Sequence, residues 1–394
     1  MKKILLAIAA TLVLASCSSL ERDSIPLHRV TIMYAAAFSN LCNSISEDIE
    51  EFCNSGLPTL RSGDVFLVYS HMPARNGYFD IPTNPVLFRA WTDPDGTPRR
   101  DTLVTYPSSD ISSTKEVMHK VLSDVQELFP APHYGMVVSS HGKGWIPTDY
   151  REVYSFDFDG GDTWLTSTKE LCIESVDGSG INVNELADAL PMYFDYIILD
   201  SCLMGCIETA WEVKDKCKFL MFSPTEILTD GMMYKTMGPL LTNVVNPNVQ
   251  QVAKEYFEHY QAMSGAYQSA SITLIDCTKL GPVADACRDL VTKYRSAIEH
   301  TSPTKVQAYF YNDLHWFFDL RDIFVQAGAT EEDLAPLDAA LEDAVVYTAC
   351  TDTFFDLKLE RVCGLSMYKP YSILTDLNSF YRGLSWNKAI GLIQ

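Results

Sequence analysis

Tyr196-Ile197-Ile198-Leu199-Asp200-Ser201-Cys202-Leu203-Met204-Gly205 is the stretch on which the fold reading turns. Its short apolar run, ending on an aspartate, has the pattern of a strand buried on both faces. Immediately beyond it Leu203, Ile207, Ala210 and Trp211 recur at helical spacing, which predicts a helix over 201–215. Working outward, runs of the same character begin at Arg29, Asp64, Tyr134 and Phe219. Helical patterns over Ser44 to Phe52, Ser113 to Leu128 and Asn182 to Leu190 lie between them. Strands alternating with helices predict an α/β fold around a central, mostly parallel sheet flanked by helices.

The character changes after Val249. Helical patterns lengthen (Gln250 to Met263, Pro282 to His300, Glu331 to Tyr347), with short extended pieces at Ser271 to Asp276 and Gly364 to Tyr368. This predicts a division into residues 28–249 and a mainly helical C-terminal lobe over 250–394. Between the third and fourth strands, Asp149 to Ser179 is rich in Gly, Asp, Ser and Thr and reads as a surface loop.

In a parallel α/β sheet, ligands bind beyond the carboxyl ends of the strands. Two such ends carry chemistry here: Ser140-His141-Gly142-Lys143-Gly144-Trp145 after one strand, and Asp200-Ser201-Cys202 after the next. Gly142 lets the backbone approach a ligand. Cys202, placed at a strand-to-helix turn, is expected to gain thiolate character from the helix dipole. Taken singly, a histidine at a strand end and a cysteine near a core helix are more often structural than catalytic. A widely spaced His followed by a Cys is, however, a recognised layout for a nucleophilic cysteine. Cys206, one turn on, reads as a buried structural thiol, and Glu208 and Trp145 as supports of the site through packing and hydrogen bonding. The chain has no GxSxG elbow for a serine hydrolase.

Strand-His-Gly followed by strand-Asp-x-Cys is the layout of the caspase-like peptidases, and within them this chain resembles the clostripain (C11) family. The resemblance runs through TIMYAAAFSNL (31–41), YGMVVSSHGKGW (134–145), YIILDSCLMGCIE (196–208), Phe317 to Ile323 and Gly364 to Pro370. It implies a caspase-like sandwich and a cysteine endopeptidase. By the same resemblance Cys202 is the nucleophile and His141 the general acid/base, and the backbone N–H groups of Gly142 and Cys202 form the oxyanion hole. Asp200 would bind a basic P1 side chain, Arg or Lys. Trp145, Glu226 and Asp230 are candidates for the substrate cleft. Ser139, where an aromatic often stands, and Lys143, where a small residue is expected, depart from the family pattern. Self-processing is implied in the long polar loop, where Arg151 and Lys169 are the candidate cleavage points. The rival reading is a non-catalytic surface lipoprotein that uses the same fold to bind peptides or proteins.

The chain opens with Met1-Lys2-Lys3, an apolar run from Ile4 to Leu14, and Leu14-Ala15-Ser16-Cys17. The run is too short for a permanent span and resembles a bacterial lipoprotein signal, residues 1–16. Cys17 would then be acylated, residues 17–27 would form a tether, and the protein would be exported and anchored to the outer membrane by lipid. A net charge of -21 argues against nucleic-acid partners and suits cationic peptides. The eleven cysteines show no regular framework and the eight histidines form no HExxH, so disulfide pairing stays open and a zinc site has no support. No cofactor or metal is called for. Calcium dependence varies among clostripain-like enzymes, and Asp157-Phe158-Asp159-Gly160-Gly161-Asp162 lacks the spacing of an EF-hand.

Overall fold

A computed structural model describes residues 26–76, 79–81, 83–150, 180–310 and 316–394. Its nine-stranded sheet is built from β1 (Arg29–Ala36), β2 (Asp64–His71), β3 (Val86–Thr92), β4 (Pro98–Thr105), β5 (His133–Ser139), β6 (Phe194–Asp200), β7 (Cys217–Phe222), β8 (Ser271–Asp276) and β9 (Val345–Cys350). The spatial order is β9-β8-β7-β6-β5-β1-β2-β3-β4. The five strands from β2 through β7 in that order pair in parallel, and antiparallel strands extend the sheet at both ends.

The parallel strands are apolar because helices cover both faces of the sheet and no face meets water. Those helices are α1 (Cys42–Cys53), α2 (Lys115–Leu128), α3 (Val183–Ala189), α4 (Ile207–Val213), α5 (Tyr234–Leu241) and α6 (Val249–Gln261). The C-terminal part adds α7 (Leu280–His300), α8 (Leu320–Gln326), α9 (Glu331–Ala344), α10 (Thr375–Gly383) and α11 (Ser385–Ile390). It also contributes β8 and β9 to the main sheet, so the sheet continues past residue 249 without a break. Helix ends follow local chemistry: the Thr114 side chain accepts from the Val117 N–H at the start of α2, and Thr330 with Asp333 makes a capping box at α9.

Register is what places the site. β5 and β6 end together, Ser139 opposite Asp200, so the segments carrying His141 and Cys202 leave the sheet side by side at its carboxyl edge. Among the described residues nine cysteines are free thiols, and the Sγ atoms of Cys217 and Cys277 face each other at 3.7 Å. No described helix is long and apolar enough to cross a membrane.

Candidate active site

The expected helix over 201–215 begins only at Ile207. Residues before it form a turn with Leu203 at φ +60°. Its N–H groups are claimed by the neighbouring segment: Leu203 donates to the Thr225 carbonyl at 2.9 Å and Gly205 to the Ser223 carbonyl at 2.7 Å. Groups bonded sideways are lost to a helical turn, so Cys202 does not sit on a helix N-terminus and the dipole expectation is corrected. A Cβ on Gly205 would lie 2.3 Å from the Pro224 nitrogen, which is why glycine stands there. The polar partner of Cys202 is instead the 223–228 segment: the Ile227 N–H donates to Cys202 Sγ at 3.2 Å, and the thiol faces the Ile227 carbonyl at 3.6 Å. A thiolate accepts such an N–H more strongly than a thiol does. Cys202 is 0% exposed.

His141 is 5% exposed and pairs through Nε2 with Asn40 Oδ1 at 2.7 Å. Asn40 lies in the segment linking β1 to α1 and escaped the sequence reading, because nothing in its spacing separates it from an ordinary loop asparagine. The two site segments touch through Ser140 Oγ and Ser201 Oγ at 3.2 Å and through Gly142. A Cβ on Gly142 would meet the Cys202 carbonyl oxygen at 2.4 Å and the Ser201 Cβ at 2.9 Å, so only glycine lets the segments come this close.

Asp200 is fully enclosed, its Oδ2 accepting from the Tyr234 hydroxyl at 2.7 Å and from Ser139 Oγ at 3.2 Å. Ser139, the departure from the family pattern, therefore serves the aspartate. Burial first, and then the Asp200 charge, hold the Tyr234 hydroxyl well above its ordinary range, so it stays a donor. Asp230 lines a cleft of about 660 Å³ that Glu47, Asp48 and Glu51 of α1 and Glu255 and Glu258 of α6 also border. Lys235 on the rim is paired with Glu51 at 2.8 Å.

Trp145 is completely buried, its Nε1 donating to the Trp316 carbonyl at 3.2 Å and its ring 4.4 Å from that of Tyr368. It packs the site loop on the C-terminal part and is not presented to a cleft. Glu226 is also buried, its backbone carbonyl accepting from Thr225 Oγ1 at 3.0 Å. Lys143 donates to the carbonyls of Pro147 and Tyr150 at 3.3 and 3.0 Å, so its charge braces its own loop. Cys206 is the N-cap of α4, not an interior helical residue. Burial pushes its thiol far up, which disfavours the thiolate there. Cys17, Arg151, Lys169 and the 157–162 acidic stretch lie outside the described residues. Among the described residues, no group of three or more His, Cys, Asp or Glu is placed to hold a metal ion.

A mostly parallel sheet with a buried His and Cys leaving adjacent strand ends defines a caspase-like cysteine protease. The sequence pattern of the clostripain family matches residues 33–385, and the chain belongs to that family of C11 cysteine proteases. Among solved structures it is similar to an inactive zymogen C11 protease from Parabacteroides distasonis, with 26% identity and a TM-score of 0.77 over 93% of this chain and 99% of that one. A secreted C11 cysteine protease from Bacteroides thetaiotaomicron shares the fold at 21% identity and a TM-score of 0.76, over 93% of this chain and 99% of that one. So does a structure of a secreted C11 protease from the same organism with an irreversible peptide inhibitor, at 24% identity and 0.72, over 92% and 99%. A comparison with curated protein sequences returned no match. The expected fold class, family and enzyme type are thereby borne out, and the non-catalytic reading is set aside.

Proposed function

We propose that the protein hydrolyses peptide bonds after Arg or Lys, with Cys202 as nucleophile and His141 as general acid/base. The observation that carries the reading is the register of β5 and β6, which end side by side with His141 and Cys202 just beyond them. The Cys202 thiolate attacks the scissile carbonyl, and the oxyanion that develops is met by the N–H groups of Gly142 and Cys202. With Nε2 of His141 paired to Asn40, proton delivery to the leaving amine falls to Nδ1. Water then hydrolyses the acyl-enzyme and frees the thiolate.

For the basic P1 side chain, support comes from the acidic cleft, where Asp230 is a carboxylate that a guanidinium or ammonium can reach. Asp200, enclosed and hydrogen-bonded to Tyr234 and Ser139, would contribute only through its charge. Asp230→Asn keeps the shape and removes the charge. It is expected to lower kcat/KM for Arg-containing reporters by about tenfold to a hundredfold while leaving alkylation of Cys202 by iodoacetamide unchanged. An unchanged preference for Arg over a neutral P1 residue would remove Asp230 from the specificity site.

An enclosed nucleophile fits a precursor that must be opened, and the zymogen relative supports the same reading. We therefore propose self-cleavage after Arg151 or Lys169. Export and acylation at Cys17 draw support from the lipoprotein-like start and from the secreted relative. Intact mass of wild-type and Cys202→Ala protein from the membrane fraction tests both: two fragments from the wild type, one chain from the variant, and the mass of acyl chains in each. A cut Cys202→Ala chain would point to another protease, and an unacylated one would refute the anchor.

A further inference from the structure

Glu208 is a buried acid that the reaction does not use. It is 0% exposed and stands in the first turn of α4, six residues after Cys202. One carboxyl oxygen, Oε1, accepts from the Tyr368 N–H at 2.9 Å and from the Tyr381 hydroxyl at 2.7 Å, both in the C-terminal part. The other, Oε2, has no hydrogen-bond partner. Leaving a carboxylate oxygen buried and unpaired is costly, more so when the group is ionised. The titratable groups facing it are Cys206 at the start of α4, Cys287 of α7, Tyr368 and Tyr381 of α10, and none of these is a cation.

The same C-terminal segment touches both site loops. The Ser366 N–H donates to the Gly205 carbonyl at 3.0 Å, and Cys206 forms a parallel bridge with Ser366. The rings of Tyr368 and Tyr381 pack on Trp145 at 4.4 and 5.2 Å, four residues beyond His141. The His141 loop and the Cys202 turn are thus held against one scaffold, and Glu208 is the polar joint between that scaffold and the nucleophile's turn.

We propose that Glu208 is a positioning residue: hydrogen-bonded to Tyr368 and Tyr381, it lets the C-terminal part set Cys202 against His141. The inference rests on Cys202 being the nucleophile. Burial, outweighing the hydrogen bonds from Tyr368, Tyr381, Cys206 and the residue's own backbone, pushes the carboxyl up to about 7. The folded state therefore favours the protonated acid. Its contribution to stability is complete below the ordinary glutamate range and is lost as pH rises through about 7.

Glu208→Ala is expected to lower kcat by about tenfold to a hundredfold with KM within roughly threefold, because misplacement acts on attack more than on binding. The rate of Cys202 alkylation by iodoacetamide should fall with it. Glu208→Gln, neutral at every pH and of the same shape, is expected to restore kcat to within about threefold at pH near 6, and the ratio of wild-type kcat to that of Glu208→Gln is expected to fall between about pH 6 and pH 8. Should Glu208→Ala not fold, Tyr381→Phe deletes one hydrogen bond and should lower kcat a few-fold at unchanged KM. The inference is overturned if Glu208→Gln follows the wild-type pH profile, if it loses as much kcat as Glu208→Ala, or if Tyr381→Phe changes thermal stability alone. Persistent activity in Cys202→Ala would instead overturn the nucleophile assignment beneath it.

Discussion

Cys202→Ala is expected to reduce hydrolysis of an Arg-containing reporter peptide by at least about a thousandfold, with the fold retained. The substitution deletes one sulfur from a fully buried position, and that sulfur's polar partners are the backbone N–H and carbonyl of Ile227, which an alanine leaves in place. The loss should therefore fall on chemistry. Cys206→Ala is the matched control: its thiol contacts Thr209 Oγ1 at 3.1 Å, on the helix side of the turn, and its removal should leave turnover within a few-fold. Steady-state kinetics of both variants, alongside thermal melting, separates the two cysteines. Activity surviving in Cys202→Ala and lost in Cys206→Ala would reverse the assignment.

Gly142→Ala is expected to be nearly as damaging, by a different route. An added methyl would stand 2.4 Å from the Cys202 carbonyl oxygen and 3.0 Å from the Cys202 nitrogen. Both are backbone atoms, so no side chain can swing aside. The two site segments must separate, and the separation moves the Gly142 and Cys202 N–H groups away from the oxyanion they are proposed to share. A cost of about 1–3 kcal/mol in stability and a fall in kcat of about a hundredfold are expected. Differential scanning calorimetry with kcat measurement checks both. Full activity in Gly142→Ala would mean that these segments do not need their present spacing for catalysis.

The central strands were readable because burial on both faces writes itself as an apolar run, as in β5 and β6. β4 was not, since Arg99, Arg100 and Asp101 face solvent on the sheet edge and carry the charges that blunt edge pairing. The helix expected to reach Tyr347 ends at Ala344, where Val345 and Val346 turn the chain into β9. Tertiary contact overrides local pattern at the turn carrying Cys202, where the helical spacing of Leu203 and Ile207 is real. The N–H groups of Leu203 and Gly205 nevertheless bond to the 223–225 segment, and α4 starts later. The acidic cleft was hidden for another reason: Glu47, Glu51 and Glu258 read as the solvated faces of their helices until α1 and α6 are seen on either side of Asp230. Asn40 became visible only as the partner of His141.

Attack by Cys202 on a peptide whose P1 residue is basic is the step that can be observed directly. The direct measurement is to incubate the protein with a short peptide ending in arginine and an acyloxymethyl ketone, digest it, and map the modified residue by mass spectrometry. The predicted result is a single adduct on Cys202, strongly reduced when arginine is replaced by a neutral residue and absent in His141→Ala at matched time. An adduct on Cys206 or another thiol, or equal labelling of Cys202 by the neutral peptide, would contradict it.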